Sequence, residues 1–191
     1  MVDDASVVDY SHLKQQYPQV NWLRMEKNGG PGVARQYGTE RSNGTYITYI
    51  DSGDTFNSNT INTIFDTIIS HDIGYVYIWK FYDGDSHALS SVEEEKPLGK
   101  VFKREFLERY NIKWPDGKAS YACEDYGFVR FCKIMLGYLK TLDFNTRIFT
   151  FDSCFGTLVP DNTSLTHNNN FEFVYNQAVE GLINNNYYII K

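Results

Sequence analysis

The sequence is poor in cysteine and in positive charge. It holds three cysteines among 191 residues, and Cys123, Cys132 and Cys154 show no paired spacing. Thiols in this arrangement are typical of a reducing compartment and indicate neither a disulfide framework nor a zinc site. Lysine and arginine number 18 against 24 acidic residues, which leaves a net charge of −6. This balance argues against nucleic acid as a general partner, because phosphate binding needs a basic surface.

Long apolar runs and a basic leader are also missing. No stretch of about 18 apolar residues occurs, so no transmembrane helix is expected. The first residues lack the basic-then-apolar pattern of a signal peptide, and we therefore expect a cytoplasmic protein. The four histidines are scattered along the chain, which leaves no histidine cluster for a metal.

What the sequence does have is a strong apolar pattern around Gly44–Asp54. Hydrophobic residues make up 42% of the chain, enough for a sizeable core in one domain. In this stretch a β-branched and aromatic run, typical of a buried parallel strand, leads into Asp51-Ser52-Gly53-Asp54. Ligands bind beyond the carboxyl ends of strands in open α/β sheets, and carboxylates there suit Mg²⁺ or Mn²⁺. Taken alone, however, Asp51–Asp54 is more often just an Asp/Gly turn that ends a strand than a ligand site.

Helices and strands are predicted to alternate along the chain. The pattern predicts, in order, a strand tail within Met1–Ser6, a helix over roughly Ser6–Tyr17, a strand over Asn21–Glu26, a helix over Gly32–Ser42, an amphipathic helix with Ile61, Ile64, Phe65, Ile68 and Ile69 on one face, and a strand over Tyr75–Tyr82. The acidic segment 83–97 is predicted to be a solvated loop. Such alternation favours an α/β fold with a largely parallel sheet.

A second acidic pair, Glu124-Asp125, opens another predicted helix. Its apolar residues share one face: Phe128, Phe131, Cys132, Met135 and Leu139. Carboxylates in a first helical turn are stabilised by the macrodipole by about 0.3–1 kcal/mol, which is a purely structural reason for both acids. The same dipole keeps an acid ionised, as a general base must be. Locally, helix capping is the favoured interpretation.

Five segments together resemble family 2 glycosyltransferases of the GT-A fold, in that family's order and spacing. They are Val2–Ser6, similar to Val-Asp-Asp-Gly-Ser; Gly30–Gly38, similar to Gly-x-x-x-Ala-Arg-Asn-x-Gly; Gly44–Asp54, similar to Gly-Glu-Tyr-Ile-x-Phe-Leu-Asp-Ser-Asp-Asp; Gly99–Glu108 with Asn111–Pro115, similar to the segment before the acidic motif; and Glu124-Asp125, similar to the Glu-Asp motif itself. Each segment alone has a purely structural interpretation, but the five matches together favour the family resemblance over those interpretations.

The resemblance implies a Rossmann-like, mostly parallel GT-A sheet with helices on both faces. This domain would cover residues 1–160, with a C-terminal helical extension over 161–191. It also implies the transfer of a sugar from a nucleotide-sugar, most often a UDP-sugar, to an acceptor hydroxyl with inversion. The implied cofactor is Mn²⁺ or Mg²⁺. The donor sugar and the acceptor are not given by these motifs.

Nucleotide-binding roles carry over to three matching positions. By resemblance, Asp4 would bind the base, Arg35 would lie close to the nucleotide, and Asp51 would lie beside the ribose. The implied metal ligands are Asp54 and Asp51, next to the diphosphate.

Catalytic roles fall on the second acidic pair. Asp125 would be the general base that deprotonates the acceptor, with Glu124 beside it in the motif. Ser164–His167 lies where family members often carry a Ser-x-Thr segment near the phosphates, and His167 is the weakest candidate metal ligand because a surface histidine is the commoner case.

Two departures from the family pattern leave alternatives open. Gly53 replaces an acidic residue that usually contacts the metal, and the strand and helix that precede the Val2–Ser6 segment in the family have no counterpart. We therefore expect either that a second polypeptide or a second copy supplies a strand between those that end at Asp4 and Asp51, or that neighbouring strands rearrange to close the gap. The alternatives are a weak or inactive binding or structural subunit and, with less support, a nucleotidyltransferase, whose Gly-rich, Arg/Lys-containing phosphate loop is not visible.

Overall fold

The computed structural model of the chain describes residues 1–70, 74–84, 87–91, 96–116, 124–142 and 147–158. Within these ranges lie, in chain order, β1 (Val2–Asp3), α1 (Ser11–Gln16), β2 (Leu23–Arg24), α2 (Gly30–Arg41), β3 (Tyr46–Thr48), β4 (Thr55–Phe56), α3 (Ser58–Ser70), β5 (Gly74–Asp83), β6 (Ala88–Leu89), β7 (Lys100–Lys103), α4 (Arg104–Arg109), α5 (Glu124–Thr141) and β8 (Arg147–Leu158).

The described strands form two sheets. β1 and β2 pair in parallel as a small sheet, and the larger sheet has the order β3-β7-β5-β8-β4, with β6 paired to β5. In the larger sheet β5 and β8 are parallel, whereas β3–β7, β5–β7, β5–β6 and β4–β8 are antiparallel. The α/β fold is therefore confirmed, but the sheet is mixed rather than largely parallel.

β3, the strand predicted from the apolar run in Gly44–Asp54, shows why the strand direction was predicted wrongly. β3 pairs antiparallel with β7, and Ile47 lies opposite Phe102. Ile47 and Tyr49 are buried, as the apolar run predicts. A run of β-branched and aromatic residues reports burial, but the direction of a strand depends on its partner, here more than fifty residues away in the chain. The prediction of a further strand between β1 and β3 remains a prediction.

β5 contributes side chains to both hydrophobic clusters of the core, one on each face of the larger sheet. Val76 and Ile78 point to one face, and Tyr77, Trp79 and Phe81 point to the other, as the pleat requires. The first face packs against α4 and α5, and the second packs against Ile64 and Ile68 of α3: these two sets of side chains form the two core clusters. Helices therefore cover both faces of the larger sheet, as predicted.

The helical predictions differ in how well they hold. All five apolar residues predicted to share a face of α5 are buried. On α3, Ile64 and Ile68 are buried, but Ile69 is 74% exposed. α1 is shorter than predicted, because carboxylates hold the residues before it in turns: Asp3 accepts a hydrogen bond from the Ser6 amide, and Asp9 accepts one from the Ser11 amide.

Several predictions lie outside the described residues. They are the helical extension over 161–191, the segment Ser164–His167 and, within the acidic segment 83–97, residues 85–86 and 92–95. Strands β4, β6, β7 and β8 had not been predicted, and β6, which forms because it pairs with β5, lies inside the segment 83–97 that had been predicted to be a loop. The division into residues 1–160 and 161–191 stays a prediction. None of the helices in the described part of the chain is long and apolar enough to cross a membrane.

Candidate functional site

The candidate site is built around the guanidinium of Arg35, on α2. Its Nη2 lies 2.7 Å from Asp51 Oδ2 and 2.9 Å from Asp51 Oδ1, and its Nε lies 3.2 Å from Asp51 Oδ1. Its Nη1 donates a hydrogen bond of 2.7 Å to Glu124 Oε1. One arginine therefore joins three segments that are far apart in sequence: α2, the turn after β3, and the first residue of α5.

The position of α2 explains why Arg35 reaches both acids. Gly38 faces β1 so closely that a Cβ there would lie 3.0 Å from Val2 Cγ2. One turn away from Arg35, Thr39 Oγ1 lies 2.8 Å from the Tyr49 hydroxyl, just beyond the end of β3. The helix is thus held between the small sheet and the end of β3.

An aromatic floor lies under the guanidinium. Arg35 Cζ is 4.7 Å from the centre of the Trp114 ring, within the range of a cation–π contact. The indole stacks on Phe128 of α5 with a centroid distance of 4.1 Å, and it meets Tyr49 edge to face at 4.9 Å. This floor keeps water from one side of the guanidinium, whose side chain is only 10% exposed.

Burial and charge set the protonation of this cluster in opposite directions. Burial alone would lower the pKa of Arg35, but the carboxylates of Asp51 and Glu124 outweigh burial and raise the pKa above its ordinary value. Burial raises the pKa of Glu124 to about 7, against the lowering effect of Arg35 and with a further rise from Asp125. The Arg35–Glu124 contact therefore joins a permanent cation to an acid that titrates near neutrality.

Asp125 is the neighbouring acid on α5. Burial raises the pKa of its carboxyl, while Arg35 and the Tyr126 backbone N–H lower it. That N–H donates a hydrogen bond of 2.8 Å to Asp125 Oδ1. A carboxylate whose pKa is raised by burial is a stronger proton acceptor than an ordinary aspartate.

Asp4, directly after β1, reaches the start of α2 with its side chain. Its two carboxylate oxygens accept hydrogen bonds from the backbone N–H groups of Gly29 (2.7 Å) and Gly30 (2.8 Å). The carboxylate therefore stabilises the N-terminus of the helix that carries Arg35. The structure places Asp4 in this contact and Arg35 in the cluster with the acids.

The turn Asp51–Asp54 is closed by a hydrogen bond of 3.1 Å from the Asp54 N–H to the Asp51 carbonyl. Gly53 has φ +100°, and a Cβ at this position would meet no atom within 4 Å. In the ranges that the structure describes, no group of three or more His, Cys, Asp or Glu side chains is arranged to hold a metal. His167 lies outside those ranges.

Sequence reasoning named the charged residues of the cluster but missed its aromatic and polar supports. Trp114 fell inside the resembling segment without a role, and Gln36, Thr39 and Tyr49 were not singled out. A tryptophan shortly before an acidic pair is a weak signal, because the ring contacts join residues up to 79 positions apart, as in Arg35 to Trp114.

Residues 1–134 match the model of Glycosyl transferase family 2. The chain belongs to this family. The resemblance inferred from the motifs is thereby confirmed. No curated protein matches the chain.

Solved structures show the same fold. S. aureus TarS 1–349 in complex with UDP-GlcNAc is 18% identical with a TM-score of 0.73, over 96% of this chain and 56% of that one. The mannosyltransferase PcManGT from Pyrobaculum calidifontis, in complex with GDP-Man and Mn²⁺, is 13% identical with a TM-score of 0.61, over 96% of this chain and 53% of that one. The chain thus spans little more than half the length of these two solved chains, and at such identities they establish the GT-A fold alone.

Proposed function

We propose that this glycosyltransferase family 2 chain transfers a sugar from a nucleotide-sugar, a UDP-sugar first among them, to an acceptor hydroxyl with inversion. The observation that carries the proposal is the buried Arg35, which holds Asp51 and Glu124 together beside Asp125. Family membership supplies the reaction class, and the complexes of TarS with UDP-GlcNAc and of PcManGT with GDP-Man supply the candidate donors.

Asp125 is proposed as the general base. It would take the proton from the acceptor hydroxyl, whose oxygen attacks the anomeric carbon from the side opposite the diphosphate. One C–O bond forms, the bond from the anomeric carbon to the diphosphate oxygen breaks, and the nucleoside diphosphate leaves. The raised pKa of Asp125, caused mainly by burial, suits this role, since general bases of higher basicity take a proton more readily.

Arg35 and Glu124 are proposed to orient the donor side of the site. Glu124 fixes one edge of the guanidinium, so Arg35 can hold Asp51 with its other edge. Asp51 would then present its carboxylate at the end of β3, where the ribose is expected. Asp4, which contacts the N-terminus of α2, is proposed to lie near the nucleobase of the donor.

A divalent cation, Mn²⁺ or Mg²⁺, is a compatible cofactor. Asp51 and Asp54 offer hard oxygen ligands within one short turn, and such ions often take one or two carboxylates together with substrate phosphates. Both Asp51 oxygens are engaged by Arg35, so Asp54 would be the main protein ligand. When bound, the ion would neutralise charge on the leaving diphosphate. His167 stays a candidate ligand from sequence only.

A second candidate is a nucleotide-sugar-binding chain without turnover. Gly53 favours it, because this position carries no side chain and a Cβ there would face open space. The engagement of Asp51 by Arg35 favours it as well, since it lowers the number of carboxylate oxygens available to a metal.

Binding and turnover together test the proposal. Thermal melting with UDP, UDP-GlcNAc and GDP-Man, each with Mn²⁺ and with chelator, should show stabilisation by at least one nucleotide, because a ligand stabilises the state it binds. Release of the nucleoside diphosphate is then compared in wild type, Asp125→Asn and Asp66→Asn, an exposed control on α3. Loss of about 10²–10⁴-fold in Asp125→Asn alone supports the general base. Binding with no release in wild type would favour the second candidate, and no binding would contradict both.

A further inference from the structure

Gln36, next to Arg35 on α2, connects this helix to residues 112–116. Its Oε1 accepts a hydrogen bond of 3.0 Å from the Trp114 backbone N–H. Its Nε2 donates a hydrogen bond of 3.0 Å to Glu40 Oε1, one turn further along the helix. The Gln36 amide is thus oriented by both bonds, with the oxygen facing Trp114 and the nitrogen facing Glu40.

Trp114 needs such an anchor because its own segment has no regular secondary structure. Residues 112–116 form neither helix nor strand. Trp114 is only 4% exposed, and within the described residues its indole Nε1 has only the nearby Tyr49 hydroxyl and makes no hydrogen bond of normal geometry. Ring contacts with Phe128 and Tyr49 hold the indole against α5 and the end of β3, and the backbone hydrogen bond to Gln36 fixes its distance from α2.

The indole in turn supports the guanidinium of Arg35. With Arg35 Cζ 4.7 Å above the ring centre, the plane of Trp114 limits where the two N–H edges point. Those edges are the ones that bind Asp51 and Glu124. A displacement of Trp114 is therefore passed to both acids through Arg35.

We propose that Gln36 is a positioning residue: by fixing Trp114 it sets the direction in which Arg35 holds Asp51 and Glu124. Its effect on turnover rests on the function proposed above, but its effect on the position of Trp114 does not. The length of the side chain matters, because Oε1 reaches the Trp114 N–H across the gap between two separate segments.

Two variants separate hydrogen bonding from mere bulk. Gln36→Met keeps the length of the side chain and removes both hydrogen bonds. The double variant Gln36→Glu with Glu40→Gln exchanges the two groups: it keeps an acceptor facing Trp114, restores a donor at position 40, and leaves the net charge unchanged. Gln15→Met, at an exposed position of α1, is the matched control.

The measurements are kcat/KM for release of UDP from UDP-GlcNAc, near-ultraviolet circular dichroism of the tryptophans, and Tm. We expect Gln36→Met to lose about 10–100-fold in kcat/KM while folded, the loss typical of a displacement near 1 Å. Its tryptophan signal should change and its Tm should fall by about 3–6 °C. The double variant should recover kcat/KM to within about threefold, far less than the loss of the single variant.

Failure of this inference can be told from failure of the proposed function. A folded Gln36→Met with wild-type kcat/KM, or a double variant as impaired as Gln36→Met, overturns the positioning role. If wild type shows no turnover, the inference is judged on the double-mutant cycle of Gln36→Met with Arg35→Met in the tryptophan signal. Effects that are not additive support it, and additive effects overturn it.

Discussion

Residues 1–29 and strand β5 are organised in opposite ways. None of residues 1–29 is buried, whereas in β5 every residue from Val76 to Phe81 except Lys80 is buried. The first region includes β1, α1 and β2, and α1 has no buried side chain. Regular secondary structure is therefore present in both regions, but apolar packing holds only the second one together.

Polar contacts take the place of a core in residues 1–29. The terminal ammonium of Met1 donates a hydrogen bond of 2.7 Å to the Asn21 carbonyl, and Asp3 pairs with Arg24. A hydrogen bond contributes about 0.5–1.5 kcal/mol net, whereas burial of one large apolar side chain contributes about 1.5–3 kcal/mol. The N-terminal region should therefore open locally at a lower free energy than the sheet.

Two arginine–aspartate pairs extend the comparison: Arg24–Asp3 lies within residues 1–29, and Arg35–Asp51 lies in the candidate site, and it is the arginine that differs in burial between them. The Arg24 side chain is 51% exposed, whereas that of Arg35 is 10% exposed and also binds Glu124. The arginine of the candidate site is therefore buried, unlike the arginine of residues 1–29, although α2 also contacts β1.

The strongest way to sharpen this comparison is to remove each arginine in turn. Arg35→Met leaves Glu124 buried without its cation, and such a break costs about 3–5 kcal/mol of unfolding free energy. Arg24→Met removes a half-exposed arginine and leaves the Asp3 carboxylate with its hydrogen bond from the Ser6 amide, so we expect a smaller loss of about 1–2 kcal/mol. Urea unfolding of both variants measures the difference directly. Equal losses in the two variants would mean that burial does not separate the two regions.

The second prediction concerns pH. Because burial raises the pKa of Glu124 from the ordinary range of a glutamate to about 7, the folded state holds this proton more tightly than the unfolded state. Stability from this group is therefore present below the unfolded pKa and is lost as pH rises towards the folded pKa. Between those two pKa values, wild type should lose about 1–3 kcal/mol relative to Glu124→Gln.

Unfolding of wild type and Glu124→Gln across this pH range gives the test. The absolute stability of the variant is not the readout, since the substitution also alters the contact with Arg35; the readout is the difference between the two pH slopes. Parallel slopes would show that Arg35 cancels the effect of burial on Glu124.

The third prediction concerns the carboxylate at the start of α2. Asp4→Asn keeps one acceptor oxygen but places an amide nitrogen opposite the second backbone N–H, of Gly29 or Gly30, so we expect a loss of about 1–2 kcal/mol. The loss should exceed that of Asp9→Asn, a control at an exposed aspartate that also accepts a backbone hydrogen bond. Amide exchange at Gly29 and Gly30 should accelerate. Unchanged amide exchange at Gly29 and Gly30 would show that Asp4 does not stabilise the start of α2.

The elements that could be predicted from sequence are those whose buried residues repeat along the chain with the period of a helix or strand. The apolar residues of α5 repeat with the helical period, and all those predicted to share a face are buried. β8 was missed, because its run is interrupted by Asp152, Ser153 and Gly156. It is a strand because it pairs with β5 and β4, which no local pattern reports.

The candidate site divides in the same way. Family resemblance pointed to Arg35, Asp51 and Glu124 individually, but not to the ion pairs among them. The Arg35–Glu124 contact joins residues 89 positions apart. Such contacts depend on how α2 and α5 pack together, and the aromatic floor under Arg35 depends on the same packing.

The smallest predicted effect returns to residues 1–29, at Ala5. Its φ is +56°, a left-handed conformation that is unfavourable for residues with a Cβ. Asp3 accepts a hydrogen bond from the Ser6 amide, and Asp4 binds the start of α2, so the backbone at Ala5 is held from both sides. Where polar contacts rather than a core fix the chain, this strain lowers stability without being relieved by repacking.

Ala5→Gly should remove that strain. Glycine also makes the unfolded chain more flexible, which offsets part of the gain, so we expect a net rise in unfolding free energy of about 0.5–1 kcal/mol. The matched control is Ala34→Gly on α2, where φ is helical and the same substitution should lower stability by about 1 kcal/mol. Opposite signs for the two variants would confirm that Ala5 is strained. A loss at both positions would show that the turn at Ala5 relaxes in solution, and with it the contact between Asp4 and α2.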